Sequence, residues 1–113
     1  MNATKLQNQM SRRIEISRDE IAEFQNDLTK DPMYAFRWSE NVLQATARLS
    51  CHQAVLSALN AGKTVDQMKA LIARKVVEMA KSPSMSTSPM QNLMHQYEMA
   101  AWATLLSESE DWE

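Results

Sequence analysis

Hydrophobic residues recur in the N-terminal part of the chain at alternating intervals of four and three positions. From Met10 onward these positions are Met10, Ile14, Ser17, Ile21, Phe24 and Leu28, and Ser17 is the single polar residue among them. This spacing places one apolar seam with a heptad period along an amphipathic helix. The pattern predicts a first helix over residues 4–29, which ends there because the proline of Asp31-Pro32 disfavours the helical conformation of the residue before it.

A second helix is predicted over residues 32–61 and is apolar on two sides. Asp31 as a cap and Pro32 at the first position indicate its start, and Gly62, the only glycine, indicates its end. One apolar stripe consists of Trp38, Val42, Ala45, Leu49, His52, Leu56 and Leu59, and the other of Phe36, Leu43, Ala47, Cys51, Ala54 and Ala58. A helix of this kind is typical of a central position. The short break before it predicts a long helical hairpin with the first helix.

Two shorter helices complete the predicted all-α fold. Thr64 and Gln67 form a capping-box pattern before a helix over residues 65–81, and Ser88-Pro89 indicates the start of another over residues 89–107. The last helix has two apolar stripes, which are Met94, Tyr97, Ala101 and Leu105, and His95, Met99, Trp102 and Leu106. We predict one bundle-like domain of four helices over residues 1–107, completed by oligomerisation, most simply as a dimer. A frayed acidic tail is predicted at 108–113.

Charge is distributed unevenly along the chain. Residues 31–81 carry seven basic and four acidic side chains, whereas residues 82–113 carry five acidic side chains and no Lys or Arg. Such an asymmetry sets register and partner choice more than affinity. The net charge of −2 predicts no general attraction to nucleic acid or to an acidic membrane. The N-terminal residues lack the apolar region of a signal peptide and no apolar run could span a membrane, so a cytoplasm-like compartment is expected.

The candidate chemistry is Cys51, the only cysteine, beside His52. Neighbours on a helix point about 100° apart, so these two side chains do not converge on one metal ion. A zinc site needs three or four ligands, and a Cys–His nucleophile pair would need Cys51 and His95 to meet across two helices. We interpret Cys51 and His52 as packing residues and expect no catalytic residue, no metal and no cofactor. A further hypothesis is that His52 makes a helix contact pH-sensitive between about pH 5 and 8.

A non-enzymatic protein-interaction factor is the function that the sequence favours. Small, glycine-poor helical chains without catalytic groups are typical of phage and mobile-element accessory proteins that bind or inhibit a host protein. This is a general expectation about such chains and is not deduced from these residues. The residues expected at a partner or oligomer interface are His95, Met99, Trp102, Leu106, Trp38 and His52. One alternative is a nucleic-acid-associated accessory protein, although nucleic acid is not the expected partner; its basic surface would be Arg37, Arg48, Lys69 and Arg74. Another is a small-ligand-binding oligomer with a site at a subunit seam.

Overall fold

The computed structural model describes residues 1–31, 33–81 and 88–112, and the side chains of residues 34–38 lie outside this description. Within these ranges the chain forms four helices and no strand. The helices are α1 Ala3–Lys30, α2 Tyr34–Asn60, α3 Val65–Lys81 and α4 Pro89–Ser109. The prediction of an all-α fold is confirmed.

Side-chain caps explain where three of the helices begin. The Asn2 side-chain oxygen accepts a backbone N–H of the first turn of α1 at 2.8 Å. Thr64 Oγ1 accepts the Gln67 N–H at 3.1 Å, and Gln67 Oε1 accepts the Thr64 N–H at 2.9 Å. Ser88 Oγ accepts the Gln91 N–H at 3.4 Å. Each bond satisfies a backbone donor that the first helical turn leaves unpaired, and the capping box predicted at Thr64 is confirmed.

The end of α2 is a Schellman motif built on Gly62. The φ angle of Gly62 is 100°, a left-handed conformation that glycine adopts without steric strain. The Gly62 N–H donates to the Leu59 carbonyl oxygen at 3.0 Å, and the Lys63 N–H donates to the Ala58 carbonyl oxygen at 3.2 Å. These two bonds define the motif and satisfy carbonyl groups that the last turn leaves free. The glycine therefore acts as the helix stop that the sequence predicts.

The start of α2 differs from the prediction by two residues. The helix begins at Tyr34 and not at position 32. The Asp31 Oδ1 accepts the Met33 N–H at 3.0 Å, so the aspartate holds the turn that precedes the helix. The predicted role of Pro32 at the first helical position lies outside the described residues.

The helices α1 and α2 run antiparallel and form the most extensive contact between elements. Gln7 Nε2 donates to Asn60 Oδ1 at 3.2 Å near one end of the pair. Arg48 Nη2 donates to Glu20 Oε2 at 3.0 Å further along. Glu20 follows Gln7 on α1, whereas Arg48 precedes Asn60 on α2 by a similar number of residues. The two contacts therefore fit one antiparallel register.

The helix α4 packs along α2 and α3. On one side, Tyr97 of α4 faces Glu40 and Gln44 of α2. On its other side, Trp102 of α4 has the Lys75 Nζ of α3 at 5.9 Å from its ring centroid. Both α1 and α4 therefore flank α2, and in the described part of the chain they have no extended contact with each other.

The hydrophobic core lies where all four helices meet. Its cluster of buried residues is Leu6, Met10, Cys51, Val55, Leu59, Met68, Ile72, Trp102, Leu105 and Trp112. Each large apolar side chain removed from water contributes roughly 1.5–3 kcal/mol to folding. The seam predicted on α1 is buried from Leu6 to Ser17, but Leu28 is 37% exposed. The part of α1 that follows Ser17 is therefore less buried than the part that precedes it.

The C-terminal residues are packed and not frayed. The helix α4 continues to Ser109, and Trp112 is only 4% exposed. The Trp112 carbonyl oxygen accepts a hydrogen bond from Lys69 Nζ at 3.3 Å. Trp112 also borders the same surface cavity as Ala3 near the start of α1. The prediction of a frayed tail from residue 108 is therefore wrong as far as Trp112, because burial of the indole fixes the end of the chain against the core.

Candidate binding groove between α1, α2 and α4

An open groove with a volume of about 460 Å³ lies over α2 between α1 and α4. Its floor on α2 is formed by Gln44, Arg48 and His52. Its wall on α1 is formed by Arg13, Ile16, Ser17 and Glu20. Its wall on α4 is formed by Tyr97, Ala100, Ala101, Thr104, Leu105 and Glu108. The groove exists because α1 and α4 both pack on α2 and do not close over it.

His52 is the buried polar group of the groove floor. Its side chain is 8% exposed, and its Nδ1 is buried without a hydrogen-bond partner among the described residues. Burial, together with the smaller effect of the positive charge of Arg13, lowers the pKa of His52 from 6.5 to about 4. The imidazole is therefore neutral at pH 7. The ring in the folded chain titrates near pH 4, and the pH-sensitive contact predicted for His52 stays a prediction.

One ion pair joins the two walls of the groove, and a second joins its floor to the α1 wall. Arg13 Nη1 of α1 lies 2.7 Å from Glu108 Oε2 of α4, and Arg48 Nη2 of α2 lies 3.0 Å from Glu20 Oε2 of α1. The Arg13–Glu108 contact is held by charge, since its geometry is not that of a directed hydrogen bond. The four side chains are all partly exposed, and pairs of this kind contribute less than about 1 kcal/mol. A bound molecule could rearrange them at low cost.

The groove continues along α1 into a part that no α4 residue lines. A second cavity of about 340 Å³ shares Glu20, Gln44 and Arg48 with the first. Its remaining lining residues are Glu23, Phe24, Asp27, Asn41, Val42 and Ala45. On α1, the lining positions of both cavities fall on one helical face, which runs from Arg13 to Asp27. The two cavities therefore form one groove, whose extension toward Asp27 is lined by α1 and α2 alone.

The α4 residues predicted at an interface do not line the groove that contains His52. Trp102 is 8% exposed and belongs to the core of the single chain, and Leu106 packs against that core. His95 and Met99 are partly exposed and do not line the groove that contains His52. The side chain of Trp38 lies outside the described residues. The interface of His95, Met99 and Leu106 stays a prediction, while Trp102 has little surface left for a partner.

Cys51 is a core residue. It is 1% exposed, and burial raises the pKa of its thiol to about 12. A thiol of this kind stays protonated near neutral pH and is a poor nucleophile. The structure places it among Val55, Leu105 and other apolar residues of the core cluster, in the packing environment expected from the sequence.

The predicted basic surface is divided among separate contacts. Arg48 is paired with Glu20 in the groove. Lys69 is bonded to the carbonyl group of Trp112. Arg74 lies 4.0 Å from Glu78, one turn further along α3. The side chain of Arg37 lies outside the described residues.

Sequence reasoning missed Arg13 and Glu108, which join the two walls of the groove. Arg13 lies on the polar side of the predicted seam of the first helix, and Glu108 was assigned to the acidic tail. The only local signal was the helical spacing of Arg13, Ser17 and Glu20 on one face. That signal alone does not show which element the face meets.

The fold and the groove define an all-α protein with a groove of mixed charge. The part of the chain that the structure describes has no group of three or more His, Cys, Asp and Glu side chains placed to hold a metal ion. It also has no helix with the length and apolarity needed to cross a membrane. No family model matches this sequence, and no curated protein and no solved structure matches it either. The case for a function therefore rests on the groove.

Proposed function

We propose that this protein is a non-enzymatic interaction factor that binds a helix of another protein in the groove between α1, α2 and α4. The observation that supports the proposal is the open groove itself. A helix laid into it would contact three helices at once, and amphipathic helices bound in grooves are a recurrent mode of recognition between proteins.

The lining of the groove suits a closely packed helix. Ile16 on the rim is 51% exposed, so a partner would remove a large apolar side chain from water. Ser17, Ala100 and Ala101 are small residues on the two walls. Small side chains let the backbone of a second helix approach at short interaxial distance.

Two matched substitutions on α4 test the proposal. Ala100 and Ala103 are both exposed, but only Ala100 lines the groove. We expect affinity capture from a cell lysate to recover the same partner with the wild-type protein and with Ala103→Trp. Ala100→Trp should fill the groove and reduce recovery at least about tenfold, equivalent to about 1.4 kcal/mol. Circular dichroism should show equal helicity for both variants. Retention of the partner by Ala100→Trp would show that the groove is not its binding site.

A small ligand in the same groove is the second candidate function. The volume of about 460 Å³ lies within the usual size range of ligand pockets, and Arg48, His52 and Tyr97 are polar residues of its lining. The sequence predicted such a site at a subunit seam, whereas this groove lies within one chain. Thermal stabilisation of the wild-type protein by a member of a metabolite panel, absent in Ala100→Trp, would favour this candidate over a helix.

The predicted homo-oligomer stays a prediction. Large apolar side chains that a second copy would cover are Leu28, Met33, Val77 and Met90, which are between 37% and 70% exposed. Sedimentation velocity over a range of concentrations tests it. A single monomeric species at every concentration would contradict it. A host-protein target, a phage or mobile-element origin and a cytoplasmic location are likewise predictions from the sequence.

A further inference from the structure

We infer that the partner helix is amphipathic and carries Lys or Arg residues at the end that lies over Glu23 and Asp27. The inference rests on the proposed function and names the chemistry of the partner for the same groove. Three observations carry it, which are the length of the groove, the separation of its charges and the unpaired imidazole of His52.

The length of the groove favours a helix over a small molecule. The lining face of α1 runs from Arg13 to Asp27. At 1.5 Å per residue this face is roughly 21 Å long, or about four helical turns. A drug-sized molecule would occupy one of the two connected cavities and leave the other open. A helix of four turns would cover both.

The charges of the groove separate into a neutral half and an acidic half. Beside α4, Arg13 is paired with Glu108 and Arg48 with Glu20, so these charges cancel. Farther along, Glu23 and Asp27 line the groove and have no ion pair among the described residues. Carboxylates that are three or four residues apart on a helix repel each other. A cation of the partner held between the walls of this half would relieve that repulsion. A concave surface lined by one sign of charge also concentrates the electric field, which strengthens the attraction between the cation and the two carboxylates.

His52 bears on which group of the partner could lie over the neutral half of the groove. Its side chain is more than nine-tenths buried, and its Nδ1 has no partner in the described part of the chain. An unsatisfied buried polar atom is unfavourable, because it has lost its hydrogen bonds with water. Because Nδ1 is itself buried, a hydrogen-bonding group of the partner would reach it only after neighbouring side chains move aside, whereas a second cation would meet the charges of Arg13 and Arg48. The basic residues of the partner therefore belong over Glu23 and Asp27, and not over His52.

A peptide-display selection tests the inference. The probe is a random library displayed on a helical scaffold of about four turns, selected on the wild-type protein after depletion on Ala100→Trp. We expect the recovered peptides to be enriched in Lys and Arg at one end only. Their affinity, measured by fluorescence anisotropy, should fall about tenfold in the double variant Glu23→Gln/Asp27→Gln, and salt should weaken the binding to the wild-type protein more strongly.

A charge-matched control is available on another part of α1. Glu15 and Asp19 are exposed carboxylates that do not line the groove. The variant Glu15→Gln/Asp19→Gln changes the net charge equally and should leave the affinity within about twofold, because exposed charges beyond the contact are screened. An equal loss in this control would show a general charge effect and would overturn the inference.

The remaining outcomes separate the inference from the proposed function. Groove-dependent peptides without basic enrichment would overturn the inference and leave the groove as a helix site. Failure to recover any peptide that distinguishes the wild-type protein from Ala100→Trp would overturn both. Self-association of the wild-type protein that Ala100→Trp abolishes would assign the groove to a second copy and would overturn the inference of a basic partner.

Discussion

At the residue scale, the charges that act on the buried His52 come from three different helices. Arg13 comes from α1 and lowers the pKa of the imidazole, whereas Glu108 comes from α4 and raises it. Burial is the largest cause of the lowered pKa, so the ring stays neutral over most of the accessible pH range. The protonation state of His52 is therefore a sensitive report on how α1, α2 and α4 are assembled.

Substitution of Arg13 and substitution of Glu108 should move the pKa of His52 in opposite directions. Arg13→Gln removes a positive charge and should raise the pKa, while Glu108→Gln removes a negative charge and should lower it further. The measurement is a titration of the imidazole protons by NMR in each variant. Shifts of the same sign in both variants would contradict the arrangement of the two side chains around His52.

The same histidine should make stability depend on pH. The pKa of His52 is 6.5 unperturbed and about 4 in the folded chain, so the unfolded chain binds more protons between these values. The free energy of unfolding should therefore fall as the pH drops from 6.5 to 4, by roughly 2–3 kcal/mol in total. Urea unfolding at several pH values measures this dependence. His52→Leu should have a flatter profile, and an unchanged slope would refute the prediction.

At the scale of elements, the end of α4 is held by an aromatic anchor. Trp112 is 4% exposed and belongs to the core cluster, and its carbonyl group is bonded to Lys69 of α3. The anchor matters because α4 supplies one wall of the groove. Loosening its last turn would move Glu108 away from Arg13.

Removing the indole should destabilise the protein measurably. Trp112→Ala should lower the free energy of unfolding by about 2–4 kcal/mol, because a large aromatic side chain leaves the core near a helix end that can partly relax. Chemical denaturation followed by circular dichroism provides the measurement. Asp111→Asn, at an exposed neighbouring position, is the matched control and should change little. Equal stability of Trp112→Ala and the wild-type protein would mean that the anchor is not packed in solution.

At the scale of the whole molecule, the core and the acidic half of the groove occupy different regions. The buried residues of α1 end at Ser17, and the groove continues along the same helix to Asp27. Local opening is easiest where few apolar side chains are buried. We therefore expect the far half of α1, over which the partner helix is proposed to lie, to open locally more easily than the half that lies against the core.

Hydrogen exchange should show this division directly. Amides in residues 21–30 of α1 should exchange at least about tenfold faster than those in residues 6–17, because residues 6–17 lie against the core. A bound helix should slow exchange in the faster segment most. Uniform protection along α1 in the free protein would contradict the division.

Local patterns predict the helices of this protein but not its groove. The Gly62 stop and the Thr64 capping box depend on a few neighbouring residues, so the sequence contains all that determines them. The burial of Trp112 does not depend on its neighbours in sequence. The acidic residues on both sides indicate exposure, whereas contact with distant helices buries the side chain. Arg13 and Glu108 likewise meet only because α1 and α4 pack on the same helix, which no periodicity reveals.

The shared cavity beside Ala3 and Trp112 means that the two ends of the described chain are neighbours in space. A short linker could join them, and the chain could then be reopened between α3 and α4, the type of rearrangement that compact domains with adjacent termini tolerate. Such a permuted chain would keep the core cluster while freeing the N-terminal end of α4, where a reporter could be attached beside the groove.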